Sequence, residues 1–481
     1  MRKQLSVTGF ALGWLTAVAG GQDWTNIGGN ANRNGRSAVA GPDAATVLWH
    51  NNADYSIIAW HPFVYDGRVY VVREWNFPQN GGSANDAIVA YDLADGHELW
   101  RVTIPFNGNT NEDWIAWIAG VEGGQVYASR GSNGKPRPIY AYDAVTGDYL
   151  WTSQWSTEAF AYDGAVFTPE GDLLVGDFSE VARVSAADGS TVWATPRSCS
   201  VSGNCGPAAA STMTAVYIDE AAAGGQVITK LDLATGVRLY SSPVMPGFTE
   251  QNTPFVSPDE TTVYLSRTQN NPSVDYLWAF KDTGTALIDY WHRPIRWTTS
   301  HSYGIGADGS IYTFIPGDEF VRLDPGSGNV LDTAGVLGPL GSPHTAVDAA
   351  GRVYLSNGWA SNPATSGRLW AFNADLSQSL FTLTLDRQNQ GGPALGGWGV
   401  LVVADRVGVH AYGPSAPLLG DLNCDGVVNF DDINPFVLAL SDPAGYAAAY
   451  PDCRLLNGDC DGDGDVDFDD INGFVALLSG G

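Results

Sequence analysis

Short runs of alternating apolar and polar residues, each closed by a glycine-containing turn, fill most of this 481-residue chain. Strict alternation predicts half-buried strands, and an Asp-Gly or Thr-Gly pair between two such runs predicts a tight hairpin. One phrase recurs. Ala90-Tyr-Asp-Leu-Ala-Asp-Gly-His-Glu-Leu-Trp100 returns as Ala141-Tyr-Asp-Ala-Val-Thr-Gly-Asp-Tyr-Leu-Trp151, as Arg183 to Trp193 and as Lys230 to Tyr240. Degenerate copies lie at Phe280 to Trp291, Val321 to Leu331 and Ala371 to Phe381. Turn glycines at 96, 147, 189, 236, 284 and 328 step by 51, 42, 47, 48 and 44 residues. A period of about 40 to 50 residues is that of a four-stranded propeller blade.

Each copy carries its own physical logic. The Asp before the turn can accept from turn amides, the glycine supplies a positive φ, and the aromatic fills the gap between neighbouring blades. Further strand cues precede several copies, such as Gly67-Arg-Val-Tyr-Val-Val72, Gly309 to Phe314 and Gly351 to Ser356. Seven hairpins fall between Ile88 and Leu383, and the segment Gly397 to Tyr412 lacks a closing aromatic strand. Thr46-Val-Leu-Trp49 supplies one. An N-terminal strand completing the last blade removes the open edge of the ring. The expectation is an all-β, eight-bladed propeller over residues 22–413, with Trp49 packed like Trp100 and Trp151.

The phrase Ala-x-Asp-x-x-Thr-Gly-x-x-x-Trp resembles the repeat of pyrroloquinoline-quinone-like (PQQ-like, quinoprotein-like) propellers. The opening Asp23-Trp-Thr-Asn-Ile-Gly-Gly-Asn-Ala-Asn-Arg33 is similar to the start of many members. The resemblance implies the fold and leaves activity open, because the family spans quinoprotein dehydrogenases, outer-membrane assembly scaffolds and members of no assigned activity. Its dehydrogenases hold the quinone over an axial tryptophan, commonly with two adjacent cysteines. Here Cys199 and Cys205 are separated, so PQQ is not expected.

The pattern changes after a Pro-containing linker, residues 414–419. Within 420–481 a twelve-residue acidic loop occurs twice, each followed by an apolar helical stretch, Ile433 to Leu440 and Ile471 to Leu478. Oxygen donors at positions 1, 3, 5, 7, 9 and 12 around a turn glycine at position 6 suit a hard cation such as calcium. In the first loop these are Asp421, Asn423, Asp425, Val427 through its carbonyl, Asn429 and Asp432, around Gly426. In the second they are Asp459, Asp461, Asp463, Asp465 through its carbonyl, Asp467 and Asp470, around Gly464. Position 12 is Asp rather than Glu, and no clear helix precedes the first loop. This resembles a type I dockerin, a small all-α module of two EF-hand-like loop–helix repeats. The resemblance implies two calcium ions and a cohesin-type partner, read through positions 10 and 11, here Phe430-Asp431 and Phe468-Asp469. The second loop carries six carboxylates against three at corresponding positions, and is expected to bind more tightly.

The net charge of −28 changes the picture of partners. Residues 420–481 hold thirteen Asp and one Arg, leaving −16 for the rest. Such a chain disfavours nucleic acid and anionic membrane surfaces. Residues 1–19 have the form of a signal peptide: Arg2 and Lys3, an apolar core from Phe10 to Val18, and Ala17-Val-Ala19. No segment is apolar for long enough to span a bilayer. Secretion is therefore expected. Five cysteines suit an oxidising compartment. Cys199 with Cys205, and two of Cys424, Cys453 and Cys460, are candidate pairs.

Catalytic chemistry is not indicated by any single motif. Carboxylate pairs for glycoside cleavage need not be close in sequence, and Glu74, Glu112, Asp113, Glu158 and Glu250 stand on non-repeat stretches. The bland reading of each is a solvated loop residue. His61, His292, His301 and His344 lie near aromatics in loops expected to line the channel, where structural histidines are commoner than ligands. Insertions at Trp75 to Asp86, Asn107 to Trp117, Ser198 to Pro207, Trp291 to Tyr303 and Asn357 to Thr365 are rich in aromatics and polar residues. Insertions on one propeller face usually build its binding surface, here one suited to sugars; the alternative is that these loops simply shield the ends of the channel. The expected function is a secreted binding or scaffold propeller tethered through its dockerin, serving polysaccharide binding or catabolism. The alternatives are a propeller glycoside hydrolase or lyase, and a quinoprotein dehydrogenase.

Overall fold

The computed structural model describes residues 24–479 except 53–55, 57–60, 75–83, 109–115, 132–134, 159–163, 200–208, 248–252, 270–273, 297–302, 360–366, 387–390, 414–418, 425–426, 451–452 and 462–464. Eight antiparallel sheets of four strands form an eight-bladed β-propeller, and blade 4 gains a short fifth strand. Blade 1 runs outward through Phe63–Tyr65, Arg68–Arg73, Ala87–Asp92 and Glu98–Thr103. Blades 2 to 7 repeat this order in sequence. Blade 8 is built from Gly391–Gly396, Val400–Ala404 and Val409–Gly413, and its outer strand is Thr46–Asn51 from the other end of the chain. The register pairs His50 with His410 and Trp49 with Ala411.

Why the turn glycine and the tryptophan travel together is visible between blades. The Trp100 indole N–H donates to the Ala144 carbonyl in the hairpin of blade 2, at 3.1 Å. Trp151, Trp193 and Trp291 make the same bond to Ala186, Leu233 and Pro325. Trp49 makes it to Leu93 at 2.9 Å, so the ring-closing strand packs as the others do. Each indole lies so close to the turn glycine of the next blade that a Cβ there would clash: 2.3 Å between Gly96 and Trp49, 2.5 Å between Gly189 and Trp151. The glycines thus meet two demands, a φ of 76° at Gly96 and contact with a flat ring. Where Tyr240 replaces the tryptophan, Gly284 is left uncovered and the Tyr240 hydroxyl donates to Asp282 at 2.6 Å.

A second repeated aromatic lies deeper. Tyr70, Tyr127, Tyr217, Tyr264, Tyr312 and Tyr354 all sit on the second strands of their blades and are fully buried. The Tyr70 and Tyr312 hydroxyls reach across to carbonyls of the next blade, Ala144 and Ala374. Each therefore buries a large apolar body while keeping its polar end bonded.

The segment from Trp24 to Val39 runs inside the ring. Trp24 pairs with Val64 of blade 1, and the carbonyls of Thr25, Ala31, Asn32, Asn34 and Gly35 accept amides from blades 2, 4, 5, 6 and 7 in turn. The Arg33 guanidinium serves the Gly164 carbonyl at blade 3. Short Asn side chains add bonds to inner strands, Asn32 to Ser211 and Asn34 to Val256. This loop of chain satisfies inner-strand groups that would otherwise lie buried without partners.

The C-terminal region is a small helical unit with helices α1 (Ile433–Ser441), α2 (Pro443–Ala449) and α3 (Ile471–Leu478). Phe436 and Phe474, at equivalent places in α1 and α3, stack at 4.1 Å. The α2 helix was not expected from the sequence. Its Tyr446 is buried and donates to the Leu422 carbonyl. Cys424 and Cys453 form a disulfide and Cys460 is free; Cys199 is also disulfide-bonded, and Cys205 lies outside the described residues. Among the described residues no helix is long and apolar enough to cross a membrane.

Candidate metal centre and propeller axis

Both acidic loops end in the same device. The buried Asp432 carboxylate accepts the amides of Leu422 and Asn423 through Oδ1 and that of Asn429 through Oδ2, at 2.8, 3.0 and 2.9 Å. Asp470 accepts those of Cys460, Asp461 and Asp467 at 2.7, 3.1 and 2.9 Å. Position 12 therefore ties the start of each loop to its end. A second side chain then caps the helical turn, Asn429 on the Asp431 amide and Asp467 on the Asp469 amide, both at 2.7 Å. The two capping boxes place α1 and α3 on equivalent stems.

In the second loop the carboxylates converge. Oxygens of Asp459, Asp461 and Asp470 lie within 4.8 Å of one another, as do those of Asp465, Asp467 and Asp470. Like charges at that spacing repel unless a cation or proton intervenes, and an all-oxygen donor set suits a hard divalent ion. The residues present fit calcium. In the first loop Asp421 is buried, Asn423 and Asn429 are half-buried and Val427 is exposed. Asp425 and Asp463, with Gly426 and Gly464, lie outside the described residues.

The outer surface of this unit is doubled as well. Phe430 and Phe468 are 77% and 73% exposed, and Val437 and Val475 are both 55% exposed. Ile433 and Ile471 flank them, so one apolar pattern occurs twice, at α1 and at α3.

On the propeller axis, His61 and His344 come together with ring centres 5.2 Å apart, and His61 lies parallel to Trp24 at 5.9 Å. Burial lowers the His61 pKa to about 4, against a bond to the Pro62 carbonyl. Burial, then the neighbouring His61, drives His344 well below the ordinary value. Both histidines are held neutral.

Other candidates are dispersed. His292 is not in a channel loop: the outer strand of blade 5 continues through Leu287–Ile295, and His292 stacks on Trp278 at 4.1 Å there. The insertion expected from Trp291 thus begins only after Ile295, because strand pairing with Asp275–Asp282 carries on past the aromatic. Glu74 is not a solvated loop residue. It is fully buried beyond the second strand of blade 1, its amide donating to Ser56 Oγ at 3.0 Å. Glu158 is half-buried. Glu112, Asp113, Glu250 and His301 lie outside the described residues. That the Asn-rich segment after Trp24 bonds to one blade after another was not anticipated from the sequence; its clustered Asn and Gly residues were the available signal.

A family model described as outer membrane protein assembly factor BamB, of the PQQ-like repeat type, matches residues 84–334. That is just over half of the chain. The chain belongs to the PQQ-like repeat family. Among solved structures, quinohemoprotein alcohol dehydrogenase from Comamonas testosteroni is similar at 12% identity and a TM-score of 0.56, over 80% of this chain and 77% of that one. BamB from Moraxella catarrhalis is similar at 16% identity and a TM-score of 0.47, over 74% and 94%. At 12% identity the likeness to the dehydrogenase is one of fold. No curated protein sequence matches the chain.

For a PQQ-like repeat propeller the quinone has to be tested against the residues present. Trp24, in the described part of the axis, is 1% exposed, with His61 parallel to it. A Cβ at Gly29 would fall 2.9 Å from its ring. The chain's own atoms cover that ring, and it does not fit the role of a quinone platform.

Proposed function

We propose that this protein is a non-catalytic, extracellular PQQ-like repeat propeller carried by a calcium-dependent, dockerin-type module. The duplicated Asp432 and Asp470 geometry carries the reading. Two loops of one construction, each feeding a helix, with carboxylates gathered around Asp470, form a unit whose acidic side chains need a cation to coexist. Asp421, Asn423, Asp425, Asn429 and Asp432 would hold one ion with the Val427 carbonyl. Asp459, Asp461, Asp463, Asp467 and Asp470 would hold the other with the Asp465 carbonyl. The ion supplies charge compensation and a folded loop.

The twice-repeated apolar pattern of Phe430, Ile433 and Val437, and of Phe468, Ile471 and Val475, supports a protein partner of the cohesin type. The propeller then presents its insertion-bearing face to a polysaccharide. That ligand class rests on the composition of the insertions and on the dockerin resemblance. The test is a calorimetric titration of the whole chain with a type I cohesin module, with calcium and with chelator. Binding that vanishes on chelation, and in Phe430→Ala/Phe468→Ala, is expected; calcium-independent binding or none contradicts the tether. A polysaccharide panel, followed for retention and for new chain ends, tests the propeller. Retention without cleavage is expected, and new chain ends would make it a glycoside hydrolase or lyase.

A further inference from the structure

One cation of the C-terminal unit leaves it for the propeller. Arg454 follows Cys453, which is bonded to Cys424, and precedes a 3-10 turn over Leu455–Gly458. That turn is fixed to the first acidic loop: the Asn457 side chain donates to the Asp421 carbonyl at 2.8 Å, and its own carbonyl accepts the Gly420 amide. From this base the Arg454 guanidinium donates to the Ala94 carbonyl at 3.1 Å. It also stands over the Trp398 ring, 5.8 Å from its centre.

The two partners belong to different blades. Ala94 is in the outer hairpin of blade 1, between Leu93, which accepts the Trp49 indole, and Gly96, on which that indole lies. Trp398 is in the inner hairpin of blade 8, at a φ of 62°, and reaches over Gly67 of blade 1. Arg454 therefore joins the C-terminal strands of blade 8 to the blade 1 turn on which Trp49 of the ring-closing strand rests. Burial lowers its pKa, opposed by the charges of Asp92 and Asp95 beside it.

We propose that the C-terminal module clasps the ring-closing joint of the propeller through Arg454, so that a folded module holds blade 8 against blade 1. The outer strand of blade 8 runs on into blade 1, so the ring is closed non-covalently inside blade 8, where Thr46–Asn51 pairs with Val409–Gly413; a contact that ties Trp398, on the C-terminal side of that seam, to blade 1 acts where opening starts. The module is then both an attachment point and a brace, and its acidic loop reaches the joint through Asn457.

Hydrogen exchange of the whole chain in calcium tests this with Arg454→Ala and Trp398→Leu. Each is expected to speed exchange at the Gly96 amide and across Thr46–Asn51 by about tenfold, the scale of one lost charged hydrogen bond or cation–π contact. Exchange in blade 4, across Ala215–Asp232, should not change, and the double variant should add little to either single one. Unchanged exchange at the joint in both variants, or equal acceleration in blade 4, overturns the clasp. Calcium titration of Arg454→Ala separates it from the reading of the module. Retained affinity with a loosened joint supports the clasp, whereas affinity lost together with joint protection would mean that Arg454 supports the module's own fold. Failure of the unaltered chain to bind calcium would count against the module's reading and leave the joint comparison intact.

Discussion

Aspartate ends turns in both halves of this protein, yet the two halves use it differently. In the hairpin of blade 2, Asp143 accepts the amides of Val145 and Thr146 and the Thr146 hydroxyl. The Thr146 amide, against burial and with help from Val145, holds its carboxyl below the ordinary value. One carboxylate meets several donors, and the turn is complete. In the second acidic loop, Asp470 alone takes three amides, while Asp459, Asp461, Asp465 and Asp467 gather around it. Five carboxylates stand close together there. The residue type is shared, and the supply of protons or cations separates a structural Asp from a ligand.

Breaking the propeller side of that comparison should have the largest effect. Trp151→Ala removes an indole from between blades 2 and 3 and should cost about 3–5 kcal/mol in a denaturant titration. Trp49→Ala, on the ring-closing strand, should cost a similar amount, and calcium should restore neither. Acid comes next. His61 and His344 are held neutral, and His50 is lowered by burial and then by His410, against Asp405. A depressed histidine pKa means that the unfolded chain binds the proton more readily. Stability is then complete above about pH 6.5 and lost as the pH falls toward 4, by roughly 3 kcal/mol for His61 alone. Asp405, lowered by His410 against burial, extends the loss in the same direction at lower pH. A midpoint for the propeller that does not move between pH 7 and pH 4 would contradict this.

On the module side, Asp459→Ala should reduce calcium affinity by at least about tenfold and by more than Asp421→Ala, since its loop carries more charge. Equal losses would count against unequal loops. The smallest effect sharpens the contrast: Asp143→Asn keeps an acceptor for the turn amides and should cost under about 1 kcal/mol. Calcium binding should be unchanged in that variant.

How much of this was legible depends on whether a residue answers to a neighbour in sequence or in space. Gly96 and Trp49 announce themselves through repetition, and the structure brings them together as the repeat implied. The stems of the acidic loops are equally local, since Asp432 bonds residues no more than ten positions away. His292 was misplaced because an insertion was taken to begin where the repeat phrase stops, whereas strand pairing continues past it; Glu74 was misplaced because Ser56, far from it in sequence, helps to bury it. The axial segment has no period at all: its carbonyls serve one blade after another, and only the closed ring defines that order. Arg454, a lone arginine in an acidic region, contacts Ala94, 360 positions away, and carries no pattern.

In the proposed reading the C-terminal unit is built around calcium and the propeller is not. Calorimetric titration of the whole chain with calcium, paired with far-ultraviolet circular dichroism and tryptophan fluorescence, tests it most directly. Two ions of unequal affinity and a gain of helix on binding are expected, with chelation leaving the propeller's unfolding transition in place. Absence of calcium binding, or helix content indifferent to chelator, would contradict it.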